Sequence, residues 1–150
     1  MKTITKILAI IAVLLSIAFA KSIAQIVGKS NFNNYNKDNS EIVIEKLLID
    51  TSKKINAKVP IMVDESTRLD TTISAGNHLI SKYTIVNLSE KKLNKSSLEQ
   101  EMKKMLVKNQ CGNEKMFNLL KMGVEYDYMY EDKDGNLIFS INIAKKDCKI

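Results

Sequence analysis

Hydrophobic and polar residues alternate along this chain in two rhythms, and the switches between them mark out its elements. Ile44, Leu47, Leu48, Thr51 and Ile55 recur at three- and four-residue steps, one stripe of a helix, while Lys46, Lys53 and Lys54 fall on other faces. Asn39 or Ser40 supplies an N-cap and Glu41 an acidic first turn, so the spacing predicts a helix over 40–57. Pro60, the only proline, stops that rhythm and biases Val59 towards extended backbone. From Leu69 the period becomes two. Leu69, Thr71, Ile73 and Ala75 share one face, with Asp70, Thr72 and Ser74 on the other. Gly76-Asn77 makes a tight turn, and a return strand from His78 to Val86 carries Leu79, Ser81, Tyr83 and Ile85 on one side.

The helical period then resumes. Ser96 and Glu99 form a capping-box pair ahead of Leu98, Met102, Met105 and Leu106, and this second helix ends near Cys111-Gly112. A short third helix from Glu114 to Met122 presents Phe117, Leu120 and Met122 and stops at Gly123. Val124, Tyr126, Tyr128 and Tyr130 next alternate with Glu125, Asp127, Met129 and Glu131. After the turn at 132–136, Leu137, Phe139, Ile141 and Ile143 line the last strand. The order helix–hairpin–helix–helix–hairpin predicts an α+β domain over 40–150, with an antiparallel sheet of about four strands and helices on one face.

Ahead of the domain stands a different pattern. Lys2 and Lys6 precede an uncharged run from Ile7 to Ala20 that ends Ala18-Phe19-Ala20. Fourteen such residues rise about 21 Å as a helix, short of the roughly 30 Å hydrocarbon core. A basic start, a short apolar core and a small-x-small end predict a signal peptide over 1–20. Ile23, Ala24, Ile26 and Val27 offer the rival reading, an uncleaved membrane anchor over 7–27. Either way the lysines hold the N-terminus inside, and the rest of the chain is exported. Residues 21–39, polar and asparagine-rich towards their end, are expected to form a tether.

Composition and charge narrow the chemistry. The 150 residues are 45% hydrophobic and 27% charged, which suits one globular domain and excludes a collagen-like or disordered chain. The formal net charge is +6; without residues 1–20 the 23 positive charges become 21 against 17 acids, leaving +4. Lysine pairs such as Lys53-Lys54 and Lys103-Lys104 are scattered and separated by acids, so nucleic acid is not an expected partner. One histidine and two cysteines cannot build a histidine-rich metal centre, a zinc ribbon or a haem attachment site. In an oxidising compartment Cys111 and Cys148 are expected to form a disulfide, which in the chain-entropy picture stabilises by about 4 kcal/mol.

Few residues suggest a site. Arg68 is the only arginine beside 22 lysines, which points to a need for its planar fork, either in a salt bridge to Asp64, Asp70 or Asp127 or on a binding surface that takes a ligand. Tyr126, Tyr128 and Tyr130 form an aromatic stripe that either packs as core or, if open, binds protein or glycan. His78 sits beside the Gly-Asn turn without a nucleophile motif around it. The segment from Tyr130 to Leu137 places Asp132 and Asp134 like calcium ligands, but Tyr130 and Ile141 fall where the first and last ligands belong, so it reads as a hairpin turn. No catalytic residue, metal ligand or cofactor is assigned.

The segments Val59-Pro60-Ile61-Met62-Val63-Asp64 and Thr67-Arg68-Leu69-Asp70, together with Tyr126-x-Tyr128, Asp134-Gly135-Asn136 and a late paired cysteine, resemble small exported bacterial domains of unassigned function. The resemblance covers about 40–150 and implies no activity. The expected role is therefore a non-catalytic cell-envelope domain that binds another envelope protein or glycan, as an accessory, inhibitor or immunity protein does. If uncleaved, it would also sit in the membrane by its N-terminal segment. A small exported hydrolase using carboxylates or His78 is the alternative, and a peripheral lipid binder is the third reading.

Overall fold

An amphipathic stripe must be laid on an apolar surface, and the first helix finds one on a sheet. The computed structural model describes residues 40–88 and 95–148; the expected signal or anchor segment and the tether lie outside the described residues. Helix α1 (Ser40–Asn56) buries Ile44, Leu48, Thr51 and Ile55, the residues its periodicity selects. The strands are β1 (Ile61–Met62), β2 (Thr67–Ala75), β3 (His78–Ile85), β4 (Glu125–Asp132) and β5 (Leu137–Ile143), and they lie across one sheet in that order.

The α+β class holds, but the sheet differs from expectation twice. It has five strands, because Ile61 and Met62 pair with Leu69 and Arg68 as a short edge strand. It is also mixed: β3 and β4 run parallel, while every other pair is antiparallel. Helix lengths explain the parallel pair. Helix α2 (Lys95–Gly112) has 18 residues and rises about 27 Å, whereas eight-residue β3 spans about 26 Å. One pass of α2 thus carries the chain back to the end where β3 began. Short helix α3 (Glu114–Lys121) follows at once, its N-cap Asn113 accepting from the N–H groups of Lys115 and Met116. The chain then turns at Gly123, whose φ of 98° suits glycine, and enters β4 with Glu125 opposite His78.

A third difference lies within β2. A register shift between Leu69 and Thr71 inverts the alternation, so Thr72 is buried and Ile73 is 53% exposed. The expected common face of Leu69 and Ile73 does not exist. Helix α1 accounts for where Thr72 ends up. Its N–H donates to Asn56 Oδ1 at 2.8 Å, and its carbonyl accepts from Asn56 Nδ2 and Ser52 Oγ, both at 2.7 Å. β1 is too short to cover that stretch of sheet edge, and two helical side chains take its place.

Both long helices cover the same face. Thr72, held by α1, and Tyr128, bonded from Gln110 of α2, lie in one row across the sheet through Ser81. Between sheet and helices sit Leu69, Leu79, Tyr83, Tyr126, Tyr128, Tyr130, Phe139, Ile141 and Ile143, joined by Met102, Leu106, Met116, Leu119 and Leu120 from the second and third helices. Cys111 at the end of α2 is bonded to Cys148, which follows a 3₁₀ turn at Lys145–Asp147. The bond fastens the helical layer to the end of the last strand.

Candidate functional site

The two faces of the sheet have opposite chemistry, and the residues singled out from the sequence divide between them. The tyrosine stripe falls on the covered face. Tyr126 and Tyr130 are 1% exposed and Tyr128 is 6% exposed, so these rings form interior and offer no binding surface. The parallel pairing sets Tyr83 beside Tyr130, their rings stacked at 5.1 Å, and Phe139 packs on Tyr130 at 5.0 Å. Burial pushes all four tyrosine hydroxyls well above their ordinary ionisation range; neighbouring tyrosines add to this at Tyr128, and Tyr83 and Asp64 add at Tyr130.

The hydroxyls are not treated alike. Tyr128 accepts a hydrogen bond from the amide of Gln110, and Tyr126 donates to Met116 Sδ at 3.7 Å. Among the described residues the Tyr83 and Tyr130 hydroxyls meet no hydrogen-bond partner, although Ser81 lies near enough to Tyr83 to ease the effect of burial. Gln110 escaped the sequence reading because a glutamine four residues beyond Leu106 reads as solvent face. Its place on the apolar stripe, at i+4 from Leu106 and i+8 from Met102, was the available signal.

On the uncovered face, charges are paired off. Arg68 Nε donates to Asp70 Oδ1 at 2.5 Å, and Asp70 Oδ2 accepts from the Thr84 hydroxyl at 2.6 Å. Arg68 thus finds its carboxylate two residues away on its own strand, through one nitrogen; its side chain stays 41% exposed. Lys82 bonds Glu131 at 2.8 Å on the parallel neighbour. His78 Nδ1 lies 2.6 Å from Asp127 Oδ2, and Asn142 donates to Asp127 Oδ1 at 2.8 Å and to Glu125 Oε2 at 2.9 Å. The single outward asparagine of β5 therefore separates two carboxylates that would otherwise repel.

The His78–Asp127 pair has the histidine and carboxylate of a hydrolytic triad, but its surroundings are those of a surface network. Among the described residues, no serine, threonine or cysteine side chain hydrogen-bonds the His78 ring, and no group of three His, Cys, Asp or Glu could hold a metal ion. Asp132, the residue that suggested a calcium ligand, is 1% exposed and occupied by its own turn. Its Oδ1 accepts from the N–H groups of Asp134 and Asn136, both at 2.9 Å.

No protein-family model matches this chain, and no curated protein matches it in sequence. Solved structures do match. A Pseudomonas aeruginosa protein described as secreted superposes with a TM-score of 0.62 at 15% identity, over 77% of this chain and all (100%) of its own. The type 2 secretion system pilotin EpsS of Vibrio vulnificus gives 0.61 at 17%, over 76% of this chain and 99% of its own. The type II secretion system pilotin AspS of Vibrio cholerae gives 0.56 at 14%, over 74% and 97%. The chain shares the fold of a secreted bacterial protein and of two secretion-system pilotins.

Proposed function

We propose that this chain is an exported, non-catalytic domain of the bacterial envelope that binds another envelope protein, in the manner of a pilotin serving a secretion system. The observation that supports this best is the extent of the fold likeness. The whole of each neighbour, 97% or more of its length, is matched, while about a quarter of this chain lies outside each match. The matched unit is thus a complete domain. Export agrees with the basic, apolar, small-x-small start and with the bonded cysteine pair. A binding role without chemistry agrees with an interior filled by aromatic rings and an outer face whose carboxylates are already engaged.

Crosslinking of the full chain in intact cells tests the reading. The expected product is a defined complex with one component of an envelope secretion system, and loss of this chain should mislocalise that component. Absence of any envelope-protein adduct contradicts it. A hydrolytic activity abolished by His78→Ala would replace it with the enzyme reading.

A further inference from the structure

Along the sequence, lysines and acids look evenly mixed; the fold sorts them. The helical segments, residues 40–58, 95–122 and 144–148, hold twelve lysines against seven acids, a net charge of +5. The strands and their connections, residues 59–88 and 123–143, hold three basic residues against eight acids, a net charge of −5. The described domain is neutral in total and strongly two-sided.

The two sides also differ in how their charges are engaged. Asp70, Glu125, Asp127, Glu131 and Asp132 all accept hydrogen bonds from within the domain. On the helical side Lys103 reaches Asp147 and Lys121 lies over the Phe117 ring. Lys53, Lys54, Lys104, Lys108 and Lys145 are exposed and form no ion pair with a described residue, while Lys146 acts on neighbouring Asp147.

We infer that the helical layer is a docking surface for the headgroups of an anionic phospholipid bilayer. Lysine is a compact, hydrated point charge without the fork that shaped carboxylate recognition uses, and every basic residue of this layer is lysine. The free lysines spread over α1, α2 and the closing 3₁₀ turn instead of lining one cleft, an arrangement that a fluid anionic surface satisfies and a single acidic side chain does not. Screening limits the attraction to about 8 Å at physiological salt, so the lysine layer lies flat on the surface and the acidic sheet face points away.

Amine labelling of the full-length chain on vesicles reads this directly. Vesicles of phosphatidylglycerol and phosphatidylethanolamine should slow labelling of the helical lysines by about threefold or more relative to phosphatidylcholine vesicles. Lys82 and Lys133, on the sheet side, should label equally on both. The difference should vanish at about 0.5 M salt. Equal labelling on the two vesicle types overturns the inference, as does protection of the sheet lysines. Protection by soluble polyglutamate without protection by anionic vesicles also overturns it, in favour of an acidic protein partner. The doubly reversed variant Lys104→Glu/Lys108→Glu changes exposed sites only and should weaken the vesicle effect at the remaining helical lysines; an unchanged effect contradicts the inference.

Discussion

The covered face of the sheet and its open face are built from the same strands, residue by residue in alternation, yet they solve opposite problems. The covered face carries four tyrosines whose rings fill the interior, and two of their hydroxyls find no partner among the described residues. The open face carries a network in which nearly every charge has a neighbour within hydrogen-bond distance. The difference teaches where stability and interaction reside. Burial of aromatic area dominates inside, where an orphaned hydroxyl costs less than the ring contributes. Outside, paired and half-exposed charges contribute little to stability and leave little free for a ligand.

Substitutions can break or sharpen that contrast. The largest effect is expected where the layers are joined covalently: Cys148→Ala should lower unfolding free energy by about 4 kcal/mol, read from denaturant midpoints under oxidising conditions. Asn56→Ala comes next, at about 2 kcal/mol, because the Thr72 N–H loses its partner at the sheet edge and the Thr72 carbonyl keeps only Ser52 Oγ. A pair of conservative changes then probes the interior. Tyr128→Phe strands the Gln110 amide and should cost about 1–2 kcal/mol, whereas Tyr130→Phe removes an unpartnered hydroxyl and should be neutral or stabilising. On the open face, Arg68→Ala should change stability by less than about 1 kcal/mol, since it breaks one half-exposed pair.

Much of this contrast was legible in the period-two pattern, which assigned the tyrosines to one face and Glu125, Asp127 and Glu131 to the other. The helical stripes of α1 and α2 were equally readable, because Ile44, Leu48, Met102 and Leu106 each sit one turn apart. What the pattern could not carry was pairing between distant elements. The parallel β3–β4 contact depends on how far a whole helix returns the chain, and β1 is too short to show a period. The inversion after Leu69 was hidden for a different reason. Its compensating partners, Ser52 and Asn56, lie on another element and read locally as polar helix positions. The site chemistry was the least legible part. Asn142, which bridges Glu125 and Asp127, looks like any outward strand residue until the strands are side by side.

The two regions should also separate by pH. The buried tyrosines have raised native ionisation, so their contribution is intact below about pH 10 and is lost as pH rises beyond it. Phenolate absorbance from these four rings should therefore appear together with unfolding. Asp147 behaves oppositely. Partial burial pushes its carboxyl up, but the Ala144 N–H, Lys103 and Lys146 outweigh that and hold it below its ordinary value of 3.8. Its small stabilising effect should be complete above about pH 4 and fade as acid titrates it through the lowered value. Asp147→Asn should remove that acid-range dependence.

The account rests on the domain maturing outside the cytoplasm, and the state of its two sulfurs reports that most directly. Native protein from cells quenched in acid and alkylated before any reduction should carry no label at Cys111 or Cys148, and both should label once the bond is reduced. Full alkylation of both thiols without reduction would contradict the account.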